Sequence, residues 1–319
     1  MMRFALFLVS SLLAVGVHAQ GFPNKPIKVV VPSPPGGPPD LIIRMLTNNL
    51  SAQLGQPVVV ENRPGAGGII GSAYVTKQPA DGHTWLFTTA SHVNTPPFNE
   101  NVPFDPVKDF THVTLAAQNF GQALTVPGSS PFKSVQELVE HARKNPGKLN
   151  YGSAGIGTAS HIPAEVMKAM AGVDIALVPY KGVAEVMNDL FAGRIDLFFV
   201  GTQIAAQHHQ KTGKAKVLAL TGAKRWKGLP DVPTMEEAGF KGYNLINWFG
   251  LWLPAGASPE VVSRLHAEMV KALKDENTLK QFDAQGLEAV GMPPAEFARY
   301  VAKESAFIND LARKIKAKK

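Results

Sequence analysis

Short runs of consecutive apolar, mostly β-branched residues alternate along this chain with longer segments of helical periodicity, and that alternation leaves few folds open. The apolar runs are Ile27 to Val31, Val58 to Val60, Thr84 to Thr88, Ala123 to Val126, Ala176 to Val178, Ile195 to Val200 and Lys216 to Leu220. A strand apolar on every residue must be covered on both faces, which is the condition of a parallel sheet sandwiched between helices. The segment Asp40 to Leu54 carries Leu41, Ile42, Met45, Leu46 and Leu50 on one predicted helical stripe, with Gly55 as its stop. Further helical patterns run over about 68–77, 134–145, 160–171, 184–192, 259–274 and 294–314. The predicted class is α/β, with mostly parallel sheets flanked by helices.

Length divides this pattern into two bodies, since about 300 residues exceed what one hydrophobic core usually supports. Two stretches have the same order of strand, glycine-rich loop and helix. One runs from Val31 into the helix at Asp40, the other from Tyr151 through Gly152-Ser153-Ala154-Gly155-Ile156-Gly157 towards Thr158. In open α/β sheets ligands gather beyond the carboxyl ends of strands, so two such loops facing each other would form a cleft. The extended stretches Gln122 to Val126 and Asn247 to Leu253 are the expected crossings between lobes. The expected boundaries are 20–122 plus 252–319 for lobe 1 and 123–251 for lobe 2, the C-terminal helices returning to lobe 1.

The first residues have the layout of a secretory signal peptide: Arg3, an apolar run from Phe4 to Val17, and the small-x-Ala site Val17-His18-Ala19. Cleavage after Ala19 would start the mature chain at Gln20. It removes one of 32 basic residues, so the mature charge is 31 minus 25, or +6. That excess is partly due to the Lys-rich C-terminus and supports a general attraction for anions rather than nucleic-acid binding. Cysteine is absent, which excludes disulfides, thiol catalysis, thiolate metal sites and a lipid-modified N-terminal Cys. An exported binding protein without a lipid anchor needs an outer membrane to confine it, so a Gram-negative periplasm is expected.

The first loop reads VPSPPGGPPD, Val31 to Asp40. Its prolines stiffen the backbone and withhold donors, so amides would come from Gly36, Gly37 and the first helical turn, with Asp40 as helix cap. The second, Tyr151 to His161, sets small residues and hydroxyls before a helix, the chemistry of an anion site built from backbone donors. It lacks the third glycine of a dinucleotide loop, the Gly-Lys-Ser/Thr of a phosphate loop and the Gly-x-Ser-x-Gly of a serine hydrolase. Helix termini contribute at most about 2 kcal/mol each to an anion, whereas micromolar binding needs about 8. Three or four charge-assisted hydrogen bonds of roughly 1.5–3 kcal/mol would cover the difference. Two donor-rich mouths suit a dicarboxylate. No histidine spacing suggests a metal. His161 is expected to brace the second loop or touch a ligand, and Tyr180-Lys181 to bring a cation near the cleft.

Taken in order, VVVPSPPGGPPDLIIR (29–44), VVVENRPGAGGIIGS (58–72), PADGHTW (79–85), YGSAGIGTASH (151–161), VPYKG (178–182), AGRIDLFF (192–199), LPDVPTMEEAG (229–239) and WFGLWLPAGAS (248–258) resemble the Bug, or TctC-like, receptors of tripartite tricarboxylate transporters across nearly the whole mature chain. The resemblance implies a two-lobed periplasmic binding protein of Venus-flytrap type, with two crossover strands. It implies no enzymatic activity and no cofactor. By motif position it places Pro35, Gly36, Gly37 and Asp40 in one ligand loop and Ser153, Ala154, Gly155, Gly157 and Thr158 in the other, with Ser91 as a third contact. Ser33 stands where the family's loop usually has an aromatic residue, which predicts room for a bulkier, aromatic carboxylate. The expected partners are a small carboxylate and membrane transporter subunits, the protein itself acting as a monomer without nucleic acid. A ligand-presenting sensor for a membrane kinase is the alternative, and an exported hydrolase is a third reading without a nucleophile motif.

Overall fold

The computed structural model describes residues 21–316; the signal peptide read over 1–19 lies outside them. Lobe 1 is built on a six-stranded sheet of β1 (Ile27–Val31), β2 (Val58–Asn62), β3 (Thr84–Thr89), β4 (Phe110–Asn119), β10 (Trp248–Pro254) and β11 (Leu287–Ala289), in the order β11-β4-β10-β3-β1-β2. Lobe 2 holds a five-stranded sheet of β5 (Gln122–Pro127), β6 (Asn150–Ser153), β7 (Ala176–Pro179), β8 (Leu197–Gly201) and β9 (Ala215–Leu220), in the order β7-β6-β8-β5-β9. Helices α1 (Pro38–Leu54), α2 (Ile69–Val75), α3 (Ser91–Asn94), α8 (Pro259–Leu273) and α9 (Glu276–Ala284) belong to the first lobe. To the second belong α4 (Val135–Lys144), α5 (Ile162–Ala171), α6 (Val183–Phe191) and α7 (Thr202–Ala206).

The α/β class holds, with mixed sheets where mostly parallel ones were expected. β1 pairs parallel with β2 and β3, and β6 with β7 and β8. The strands next to each crossing, β4, β10, β5 and β9, run antiparallel to their neighbours. A chain that leaves one lobe and later returns enters each sheet from the hinge, against the direction of the strands that end there. In β1, β3, β5 and β8 the apolar runs are explained by burial on both faces, whereas the edge strands β2 and β7 are partly exposed. Val29 and Val31 enter one core with Trp85 and Phe87, whereas Val30 enters the opposite core with Leu86 and Trp252.

The crossings lie at 119–122 and 221–247, and they touch through bare backbone. A Cβ on Gly121 would sit 2.4 Å from the amide nitrogen of Gly222, and one on Gly222 would sit 2.4 Å from the carbonyl oxygen of Phe120. Asn119 ties the two together: its Oδ1 accepts from the amides of Gly121 (2.9 Å) and Asn247 (3.0 Å). Thr221 adds a second tie, accepting from the Gln122 amide at 2.7 Å while its own amide donates to the Gln122 carbonyl.

The last helix, α10 (Pro294–Lys316), does not stay in lobe 1 as its sequence position suggested. Its Phe297 and Val301 pack in a core of the first lobe, Ile308 and Leu311 in a core of the second. Twenty-three residues at about 1.5 Å each reach roughly 34 Å, long enough to span both bodies. Beside the hinge this helix carries the half-buried Glu304, whose carboxylate accepts from the Trp248 indole at 2.8 Å. Burial pushes the Glu304 carboxyl up to about 7, against the opposing hydrogen bonds from Trp248, Tyr300 and Asn94. His92 and His112, buried near Trp252, are pushed down to about 3 and about 4 by burial.

Two predictions follow from the packing. Gly121 has φ +92° and backbone atoms where a Cβ would go, whereas Gly36 has φ +79° and open space. Gly121→Ala should therefore cost about 3 kcal/mol or more in urea denaturation and Gly36→Ala only about 1. Glu304 has its folded pKa near 7 and an ordinary value of 4.5. Its contribution is full below pH 4.5 and lost as pH rises through 7. Glu304→Gln should flatten the fall in stability between about pH 5 and pH 8, read as Tm against pH, and a wild-type profile without that fall would contradict the assignment.

Candidate functional site

Asp40 organises the first loop. Helix α1 starts at Pro38 with Gly37 as N-cap and prolines in its first two positions, where a missing N–H costs nothing. Asp40 is thus one turn position inside the helix rather than its cap, which corrects the sequence expectation. Its carboxylate accepts from the Gly36 amide (2.9 Å), Arg44 Nε (2.9 Å) and Asn62 Nδ2 (2.9 Å), and Asn62 also donates to the Ser33 carbonyl at 3.1 Å. Burial would raise this carboxyl, but the hydrogen bonds from Arg44, Gly36 and Asn62 together hold it below the usual carboxylate range. The Gly37 amide donates to Pro34 O at 3.1 Å. Both glycine amides expected to face a ligand therefore serve the loop itself.

The second loop is equally self-contained. Ser153 Oγ donates to Gly155 O (2.8 Å), Ala154 N to Ser160 Oγ (3.0 Å), Gly157 N to His161 Nδ1 (3.3 Å) and Thr158 Oγ1 to Gly155 O (2.7 Å). The helix begins only at Ile162, four residues beyond the expected Thr158, because residues 158–161 form a turn closed by His161 N to Thr158 O. His161 is a brace of this loop, with Phe98 of the first lobe edge-on to its ring at 5.6 Å. Gly157 meets that lobe directly: a Cβ there would lie 3.2 Å from Thr95 Cα. On the other flank Gln203 Nε2 donates to Ala284 O at 2.5 Å, and Lys227 pairs with Asp283.

Between these contacts and the hinge lies a cavity of about 350 Å³. Lobe 1 lines it with Pro38, Leu41, Ile42 and Met45 of α1, with Asn119, Asn247 and Phe249 at the crossings, and with Gln285 to Leu287. Lobe 2 supplies Gln122, Ala154, Thr158, Ala159, Ser160, Val183, Phe199, Val200, Gly201, Thr202, Gln203 and Ile204. Among the described residues, no charged side chain lines it. Any anion bound there is held by neutral donors, the amides, carboxamides and hydroxyls of its wall.

Of the residues expected at the site, Ala154 and Thr158 line this cavity. Ser33, Pro35, Gly36, Gly37, Asp40, Ser153, Gly155, Gly157 and His161 form the loops at its edge, and Ser91 bonds Thr89 Oγ1 at 2.7 Å. Tyr180 turns away to donate to Asp189 at 2.8 Å, and Lys181 is not in the lining. The Ser33 hydroxyl is enclosed beneath Gly37, so its size acts on the loop rather than on the open mouth. Asn119, Gln122, Asn247, Thr202 and Gln203 were not singled out from the sequence. Gln122 and Asn247 do open the stretches read as crossings, and a polar side chain at a crossing was the available signal.

Among the described residues no group of three or more His, Asp or Glu is placed to hold a metal, and no helix is long and apolar enough to cross a membrane. Ser153 Oγ donates to Gly155 O and His161 Nδ1 accepts from the Gly157 amide, so both side chains take part in holding the loop. Asp40→Ala removes the buried carboxylate that gathers the Gly36, Arg44 and Asn62 donors and should cost about 1–3 kcal/mol. Arg44→Ala, removing a half-exposed partner, should cost less than about 1; equal losses in urea denaturation would show that Asp40 is not the organiser.

Known proteins share this architecture. The UPF0065 protein of the tcbD-tcbE intergenic region of Pseudomonas sp. strain P51 is 38% identical over 285 residues, covering 89% of this chain and 84% of that one. The solved periplasmic binding protein BugD is similar at 32% identity and a TM-score of 0.76, over 92% of this chain and 98% of its own. A protein of R. palustris solved with adipate has 34% identity and a TM-score of 0.78, over 92% of this chain and 97% of its own. MatC of Rhodopseudomonas palustris, solved with bound malate, has 28% identity and a TM-score of 0.77, over 91% and 100%. Residues 42–316 match the Tripartite tricarboxylate transporter family receptor, and the chain belongs to this TctC family of non-enzymatic periplasmic solute-binding receptors.

Proposed function

We propose that this receptor captures a small organic carboxylate with high affinity in the cavity between its lobes and delivers it to the membrane subunits of a tripartite tricarboxylate-type transporter. The reading includes export, with cleavage after Ala19 and action in the periplasm. The observation that carries it is the cavity itself: about 350 Å³ at the hinge, walled by both lobes, with hydroxyls and carboxamides but no charged side chain. Its volume falls in the range of small-molecule sites, at the lower end. Relatives solved with adipate and with malate support a carboxylate as the ligand.

Neutral donors are sufficient for such a ligand. Three or four charge-assisted hydrogen bonds of roughly 1.5–3 kcal/mol each reach micromolar affinity. Because both loops already bond internally, little conformational entropy is lost when a ligand arrives, which favours tight binding. A form that holds both lobes against the ligand benefits from the contacts of both.

Thermal unfolding of the mature chain against mono-, di- and tricarboxylates tests the proposal. A ligand at a hundredfold excess over its Kd should stabilise by about 2.7 kcal/mol, a rise of several degrees in Tm. A panel of carboxylates that leaves Tm unmoved, together with flat titration calorimetry, would overturn it.

A further inference from the structure

The cavity draws apolar side chains from both lobes: some, such as Ile42, Phe199 and Phe249, belong to the cores, and others, Leu41, Val183 and Ile204, lie outside them. Leu41 and Met45 lie four residues apart on α1, one turn on from Pro38, and so share a face of that helix. The core takes Ile42, Ile43, Leu46, Leu50 and Leu54 from the same helix, leaving Leu41 43% exposed. Lobe 2 presents Val183, 39% exposed, and Ile204, 41% exposed, to the same cavity. Of the ten exposed large hydrophobic side chains among the described residues, these three converge on one cavity from two lobes, and that convergence marks a surface kept for a ligand.

Resting on the carboxylate reading above, we propose that this wall selects carboxylates whose body is plain hydrocarbon, a ring or an alkyl chain, over acids carrying hydroxyl groups on that body. The carboxamides of Asn119, Gln122 and Asn247 at the hinge serve the carboxylate; of the other polar lining groups, Thr158 and Gln203 already donate within the protein. A hydroxyl set against Leu41 or Ile204 exchanges its water for a side chain that offers no hydrogen bond. Each methylene buried there instead strengthens binding about fourfold at full burial. No charged residue in the lining compensates the hydroxylated acid.

Matched pairs of equal charge and similar carbon skeleton isolate the body from the carboxylates: adipate against galactarate, hexanoate against gluconate, and benzoate against 3,4,5-trihydroxybenzoate. By titration calorimetry on the mature chain, the hydrocarbon member of every pair that binds should be at least about thirtyfold tighter. Leu41→Gln and Ile204→Gln place polar side chains at half-exposed positions. With unliganded Tm as the check on folding, the double variant should cut that preference to below about threefold. Silence from all six acids would overturn the carboxylate reading itself. Binding in which galactarate, gluconate or trihydroxybenzoate matches its partner would leave that reading standing and overturn this inference. A preference undiminished in a folded double variant would overturn the assignment of the wall.

Discussion

The cleft exists because two backbone segments cross at van der Waals distance between the lobes. Gly121 and Gly222 carry no Cβ: the Gly222 backbone fills the space that a side chain on Gly121 would need, and the Phe120 carbonyl the space that one on Gly222 would need. Asn119 then fixes both crossings through one carboxamide oxygen. This packing sets where each sheet begins, and therefore where the loops after β1 and β6 come to face one another. It also accounts for the mixed sheets, since strands leaving the hinge run against those that end beside it.

Around the hinge the protein separates rigidity from recognition. The two glycine-rich loops satisfy their own polar groups: Asp40 collects the first, and Ser153, Ser160 and His161 the second. Their fixed shape costs nothing further on binding, and recognition passes to the cavity wall they frame. That wall is neutral, so ligand discrimination depends on donor placement and on the match between apolar surface and ligand body. Long-range attraction for an anion comes instead from the overall positive charge, which acts before contact and weakens with salt.

Much of the architecture was legible in the chain because burial on two faces leaves a continuous apolar run, and helices leave a 3.6-residue period. Every helical pattern read from the sequence is a helix within a few residues, and each apolar run overlaps a strand. The site was less legible. Leu41 and Met45 belong to the same apolar stripe as Ile42 and Leu46, and periodicity has no means of dividing a wide stripe between a core and a cleft. Tyr180 and Lys181 follow a strand end as site residues do, yet the tyrosine's reach to Asp189 turns it aside.

By itself the sequence determined the α/β class, the two lobes, the two strand-loop-helix mouths and the exclusion of thiol chemistry, since these follow from local pattern and composition. Tertiary structure decided three things. It spent the loop amides internally, it placed α10 across both cores, and it brought Asn119, Gln122 and Asn247 of the hinge beside Leu41, Val183 and Ile204. Each of these depends on residues distant in sequence meeting in space, and the Gly121–Gly222 crossing fixes where they meet.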